Sequence, residues 1–353
     1  MPGLVEARSP LEIQYVVSLS HSLLATASLV CAAPRFEGLA DRLWAVRNQV
    51  PVDLLSELCL LITFPGSYQR FTSELIGRLP AGATGMDYPR FRAHLDAMPA
   101  IHYQFLALRA LARGADDPPA PSQLADLPAQ PEAWSAYLQR IESKVAPEIV
   151  AGLLADAEQL KQRTITALDR FWHEVYQAEF EATRPLMERS VLYHRAQPQS
   201  SAFEDIFLAV TGRLVPNGVG ELLPAMTGIL FVPSYYVGPY VAYAHAGQEM
   251  VLFYNCRSTP AGPWVSDGTS LYPPLKALAD ETRLQIVALL QGGEMYAQEI
   301  VDRLQISQPA VSRHLNLMAA AGILRVRPDG NAKYYSVNGE LLLWLADRLR
   351  ARV

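Results

Sequence analysis

Ser307, Gln308, Pro309, Ser312, Arg313 and His314 crowd hydrogen-bonding and phosphate-seeking groups into one short stretch. Val311, Leu315 and Met318 recur there at the three- and four-residue intervals of a helix face. That face packs inward, which leaves Gln308, Pro309, Ser312, Arg313 and Asn316 together on a different one. Small polar and guanidinium side chains on an exposed helix suit the base edges of a DNA major groove. Ser307 stands at the N-cap position, where the helix's free amides and partial positive charge would point at a phosphate. His314 lies nearer the buried edge, where packing and a phosphate contact are equally open.

Holding that face outward requires supporting elements, and the flanking sequence supplies them. Asp280 predicts the cap of a first helix carrying Leu284, Val287 and Leu290 inward, and Ala297 to Leu304 predicts a second. Gln305 to Ser307 then makes a tight turn into the third helix, Gln308 to Ala321, which is helix-turn-helix spacing. Gly322 ends that helix. From Ile323 to Arg327 the residues alternate, with Leu324 and Val326 on one side and Arg325 and Arg327 on the other. Asp329-Gly330-Asn331 predicts a turn, and Lys333 to Val337 returns as the second strand of a wing bearing Arg327 and Lys333 for backbone phosphates. A last helix from Glu340, with Leu341, Leu342, Trp344, Leu345 and Leu349, is more apolar than a lone surface helix needs. It suits a dimer contact or packing on the first domain.

The stretches Leu278-Ala279-Asp280-Glu281-Thr282-Arg283-Leu284 and Ser307-Gln308-Pro309-Ala310-Val311-Ser312-Arg313-His314-Leu315 resemble the ArsR-type winged helix-turn-helix regulators of bacteria. The resemblance covers roughly residues 270–353. It implies a dimeric repressor that reads a palindromic operator and releases it when an effector binds. Ile229 to Ser234 is also similar, more loosely, to the long N-terminal domain of some such regulators. Metal-sensing members carry a Cys-x-Cys pair where this chain has Tyr296 and Gln298, which offer no soft thiolate. The paired ligands of the family's other metal site reduce here to Asp347, so an effector other than a thiolate-bound metal is expected, in the N-terminal domain.

Charge agrees with a C-terminal polyanion site. The chain of 353 residues carries a formal net charge of -5, yet residues 273–353 hold ten basic residues against eight acidic. Between Arg303 and Lys333 there are five basic residues and one acid, Asp329. With 50% hydrophobic and 18% charged residues and a mean hydropathy of +0.07, the composition excludes disordered and fibrous classes. Cys31, Cys59 and Cys256 are odd in number and far apart, so no disulfide framework is read from them, and a reducing compartment is expected. Ile13 to Ala33 is free of charge but holds seven polar residues and follows Glu6 and Glu12. It reads as a buried helix rather than a membrane span or export signal, and the cytoplasm follows.

The rest of the chain is read as mostly helical. Apolar residues recur at helical spacing through residues 1–114, five prolines break the pattern across residues 115–131, and helices resume from Trp134 to Arg189. Trp172, Tyr176 and Phe180 form one stripe, expected as core. Ile229 to Val232, Tyr240 to Ala244 and Met250 to Tyr254 predict a small sheet, the last two joined as a hairpin through Ala246, Gly247 and Gln248. Pro260 to Pro263, Gly268 and Pro273-Pro274 mark a boundary.

Enzyme signatures fail on inspection. His173-Glu174 is followed by Gln177 where a zinc-protease helix needs its second histidine, His94 and His102 find only Asp96 nearby, and Gly218-x-Gly220 lacks a third glycine and is read as a loop. His21 and His245 read as core or turn histidines. The expectation is therefore an α+β, mostly α protein. Residues 1–265 form an α-rich effector or dimerisation domain with a small sheet, and residues 270–353 form the winged helix-turn-helix. It acts as a homodimeric DNA-binding repressor without catalytic residues or a cofactor. The alternative is a regulator whose N-terminal domain is an enzyme or a protein-interaction module. A convergent polar pocket with a perturbed titratable group would favour catalysis there, and a purely apolar cavity ligand sensing.

Overall fold

The computed structural model describes residues 11–36, 38–62, 70–80, 82–112, 147–197, 200, 202–258, 272–329 and 332–350. The expected proline-rich loop at 115–131, the Pro260 to Gly268 stretch and the wing turn at Gly330-Asn331 lie outside them. The fold is α+β and mostly α. Strand β1 (Glu12–Tyr15) leads into helices α1 (Leu19–Ala32), α2 (Asp41–Gln49), α3 (Val52–Ile62), α4 (Arg70–Ile76), α5 (Tyr88–Ala97) and α6 (Ala100–Ala112). Then come α7 (Pro147–Ala155), α8 (Ala157–Phe171), a π-helical turn at Trp172–Tyr176, α9 (Gln177–Ala196), α10 (Phe203–Thr211) and α11 (Asn217–Leu222). Strands β2 (Gly228–Ser234), β3 (Ala242–Ala246) and β4 (Glu249–Asn255) follow.

The sheet runs in the order β1-β2-β4-β3, with β1, β2 and β4 parallel and β3 antiparallel to β4. Its strands are apolar on both faces because both faces are covered. Ile229, Phe231, Met250, Leu252 and Tyr254 join a core with Phe203 and Phe207 of α10. Val232, Val251 and Phe253 face the larger core built by α1 to α9. The expected hairpin through Gly247 is present, and the stripe Trp172, Tyr176 and Phe180 is buried, with Trp172 stacked on Tyr88 at 4.7 Å between centroids.

Three expectations are corrected. Residues 12–15 form a strand on β2 rather than the start of a helix, since Ile13 and Tyr15 alternate with Glu12 and Gln14 at the head of a longer apolar run. Gly218 and Gly220 lie in the short helix α11, not a loop. Cys31 and Cys59 are joined as a disulfide, because packing of α1 on α3 brings their Cα atoms to 5.1 Å, a proximity that sequence spacing does not encode. Beside these, Pro273 and Pro274, read as part of a boundary, open helix α12 (Tyr272–Leu278), where a missing N–H in the first turn costs no hydrogen bond.

Two measurements follow from this body. Cys31→Ser is expected to lower the stability of the oxidised protein by about 2–4 kcal/mol, and reductant should shift the wild-type denaturant midpoint while leaving that of the variant in place. His21 and His194 are both 5% exposed, and burial holds each imidazole at about 4 against 6.5 in the open chain. The folded state therefore resists protonation, so stability is full above pH 6.5 and drains away as pH falls from there toward 4. A loss of about 2 kcal/mol per histidine is expected between pH 7 and pH 5. His194→Phe, which keeps the ring packed beside Tyr15, should remove about half of that loss in urea titrations at the two pH values.

Candidate nucleic-acid interface

Helices α12, α13 (Glu281–Leu290), α14 (Ala297–Leu304) and α15 (Gln308–Ala320) pack around a core of Ile286, Leu290, Ile300, Val311, Leu315 and Met318. Asp280 caps α13, its Oδ1 accepting from the Arg283 amide at 3.0 Å. The Arg283 side chain, 8% exposed, turns back and donates through Nε to the Ala277 carbonyl at 2.6 Å. This arginine therefore closes the α12–α13 corner instead of reaching outward. Leu284, expected inward, is 52% exposed, because Arg283, Ile286 and Leu290 define the buried face.

The turn between α14 and α15 depends on Gln305, whose φ of +56° is left-handed although it is not glycine. Its amide donates to the Val301 carbonyl at 2.9 Å and its side chain to the Asp302 carbonyl at 2.7 Å. Ser307 occupies the N-cap of α15, but through its carbonyl, which accepts from the Ala310 and Val311 amides at 2.9 and 3.0 Å. Its hydroxyl makes no capping bond and is left exposed at the helix start.

Along α15, Val311, Leu315 and Met318 are fully buried, while Gln308, Pro309, Arg313 and Asn316 are exposed and Ser312 is half-buried. The side chain of His314 is 15% exposed, with Nδ1 4.0 Å from Asp280 Oδ1, so it sits between α15 and the α13 cap. Leu317 is buried at 6% yet does not belong to the winged-helix core. It meets Gly38, where an added Cβ would lie 3.0 Å from Leu317 Cδ1 and 3.2 Å from Pro239 Cγ. Gly38 (φ +76°) and Gly238 (φ +60°) touch so closely that a Cβ on Gly238 would stand 2.4 Å from the Gly38 carbonyl oxygen. Nothing at sequence level marks Leu317 beyond an apolar residue on the flank of an otherwise polar face.

The wing is formed by β6 (Leu324–Asp329) and β7 (Ala332–Val337), with a third strand, β5 (Met295–Tyr296), paired to β7. Two residues carry no readable period, so β5 has no sequence signature. Arg325, Arg327 and Lys333 are exposed. Arg327 is bound to the Glu294 carboxylate at 2.5 Å and lies 4.7 Å over the Tyr334 ring, and this pairing holds the Glu294 carboxyl below its ordinary range. Helix α16 (Gly339–Arg350) packs Leu345 inward at 3% exposure and leaves Leu343 and Leu349 at 70% and 43%. The side chains of Trp344 and Asp347 lie outside the described residues. Gln298 donates to Asp302 at 2.9 Å, and among the described residues no group of three His, Cys, Asp or Glu side chains is placed to hold a metal ion.

Comparison with known proteins adds relatives for this region. The sequence pattern described as "Bacterial regulatory protein, arsR family" matches residues 280–326. The chain is 40% identical over 67 residues to the transcriptional repressor SdpR of Bacillus subtilis (strain 168), covering 19% of this chain and 74% of that one. It is 38% identical over 86 residues to the arsenic resistance transcriptional regulator ArsR1 of Pseudomonas putida, covering 24% and 67%. It is 36% identical over 64 residues to the transcriptional activator HlyU of Vibrio cholerae, covering 18% and 59%. The solved structure of HlyU from Vibrio cholerae N16961 aligns at 32% identity over 22% of this chain and 85% of that one, with a TM-score of 0.19.

The cap at Asp280 yields a direct test. Asp280→Ala removes the Arg283 amide's acceptor and the carboxylate beside His314, and is expected to cost about 1 kcal/mol. Thermal unfolding followed through Tyr335, which packs in this core, is the measurement.

Proposed function

This chain belongs to the arsR family of bacterial regulatory proteins, and from that premise we propose that it is a cytoplasmic, homodimeric repressor controlled by a small molecule. The carrying observation is the outward face of α15: Gln308 and Arg313 are exposed and Ser312 half-buried near a helix N-terminus, with Lys333 exposed on the adjoining wing. A helix of this kind enters the major groove and reads base edges, while the wing follows the backbone. We assign base or near-base contacts to Ser307, Gln308, Pro309, Ser312 and Arg313, and backbone contacts to Arg327 and Lys333. His314 serves the site by packing behind α15. Arg327 must share its guanidinium between Glu294 and a phosphate, so Lys333 is the more available cation of the wing.

Division of the chain into an effector region at 1–265 and a DNA-binding region at 270–353 is part of the same proposal, supported by the separate core around Ile286, Val311 and Leu315. Dimerisation is assigned to α16 and to the outer face of α13, whose Leu343, Leu349 and Leu284 are exposed. Two-fold pairing would set recognition helices about one DNA turn apart and make the operator palindromic. Of the three relatives named above, two bear repressor or resistance-regulator names and one is an activator, and repression is the reading adopted. No helix of the described residues is long and apolar enough to cross a membrane.

A second reading, catalysis in the N-terminal region, draws on one observation: His21, with its imidazole held neutral by burial, lines a cavity that Glu12 and Glu249 also line. Turnover of a bound ligand would support it.

Fluorescence anisotropy against the protein's own upstream DNA and a scrambled duplex, at two salt concentrations, tests the proposal. A preference for the upstream duplex with a steep salt slope is expected. Arg313→Ala should cost about 1–3 kcal/mol of specific binding, whereas Lys333→Ala should weaken both duplexes alike and lower the salt slope by about one. Unchanged operator affinity in Arg313→Ala would sink the docking.

A further inference from the structure

The N-terminal region contains a cavity of about 300 Å³ between the sheet, the start of α1 and the segment that follows α4. Its floor is set by strand register. Glu12, Gly228 and Glu249 stand side by side on β1, β2 and β4, and in-register residues of neighbouring strands share a face. The central glycine leaves the space between the two carboxylates open, since a Cβ there would meet only Glu249 Cγ, at 3.6 Å. Gln14, two residues along from Glu12 on the same face, donates to Glu12 at 2.6 Å, which leaves its carbonyl oxygen as an acceptor.

The other polar side chains in the wall are Thr84, His245 on β3 and His21, which is 5% exposed with its Nδ1 2.7 Å from Ser18 Oγ and 3.5 Å from Ser20 Oγ. Among the described residues no hydrogen bond ends on its Nε2. Ile76, Leu79 and Val251 supply an apolar part of the wall, and no Lys or Arg is among the residues that line it. Two carboxylates, an amide oxygen and a neutral imidazole form an acceptor-rich set at one end of an apolar space. An anion would face two carboxylates with no Lys or Arg beside them. A neutral apolar molecule would pair with neither carboxylate.

We propose that this cavity binds a small organic amine as its ammonium ion, with the charged group held between Glu12 and Glu249 and an apolar body against Ile76, Leu79 and Val251. The route to the DNA-binding surface is short. Strand β2 begins at the cavity, and the segment that follows it carries Gly238 and Pro239 to Gly38, which in turn meets Leu317 on α15. Occupancy that shifts β2 is therefore transmitted to the flank of the helix that bears Arg313. This regulatory consequence rests on the function proposed above, whereas binding itself does not.

The test is calorimetric titration of the full chain with phenethylammonium, alongside phenylacetate and 2-phenylethanol, which are similar in size but anionic and neutral. The ammonium is expected to bind at least tenfold more tightly than either. Glu249→Gln, at an exposed strand end, should weaken it about tenfold, and Gly228→Leu, which fills the cavity floor, should abolish it while circular dichroism stays unchanged. Binding of phenylacetate as tight as that of the amine, absence of amine binding, or full affinity in Gly228→Leu would each overturn the proposal. Anisotropy with the upstream duplex, run with and without the amine, separates the two readings. A change in DNA affinity of fivefold or more supports an effector site, and amine binding without such a change overturns the regulatory half. Loss of all DNA binding in both conditions overturns the DNA-binding function while leaving the titration to decide the cavity.

Discussion

Everything the C-terminal region presents to solvent depends on one packing constraint: Val311, Leu315 and Met318 are all at zero exposure beneath α15. A helix with three anchors on one face has a fixed rotation about its axis, so the azimuth of every other side chain is set. Arg313 and Asn316 face out because those three face in. The corner locked by Arg283 and Asp280, and the left-handed Gln305 before α15, then fix where along the surface that outward face sits. These are backbone-directed bonds behind the interface, and they explain why a basic residue inside the most recognisable stretch of the sequence does not reach a partner.

In the N-terminal region the organising element is the sheet rather than the helices. Alternate residues of β2 and β4 feed two different cores, so one strand ties α10 and the large helical body together. Such strands are expensive to disturb at their centres, where they are covered on both sides. At the end where Gly228 lies between Glu12 and Glu249 the covering stops, and the acceptor-rich cavity opens. The opposite end runs into the close approach of Gly38 and Gly238 and so to Leu317. A sheet with a cavity at one end and a helix contact at the other has the layout that coupling between two sites requires, although coupling itself is a free energy to be measured.

How legible this was varied with the physics of each element. The three helices and two-strand wing at 280–337 were readable because each carries a local signature: a cap at Asp280, a 3.6 period through Val311 to Met318, and a period of two from Leu324 to Arg327. The hairpin at Gly247 was readable for the same reason. Strand β1 was not, since four alternating residues at the head of an uncharged run look like part of a helix until β2 supplies their partners. The disulfide between Cys31 and Cys59 was hidden because it reports the packing of α1 on α3, which no spacing rule gives. His21 was read as a core histidine, and its burial agrees, but its position in a cavity wall depends on strands more than two hundred residues away.

The sequence by itself determined the local chemistry: which residues cap, which alternate, which stretch is basic, and that soft metal ligands are missing from Tyr296 and Gln298. These follow from interactions within a turn or two of chain, where spacing and geometry are nearly the same thing. The tertiary structure decided which of those residues are free to act. It tied Arg327 to Glu294, put His314 behind the helix beside Asp280, buried Leu317 against Gly38, and set two carboxylates on either side of Gly228. Each of those outcomes joins residues distant in sequence, and only packing specifies which distant surfaces meet.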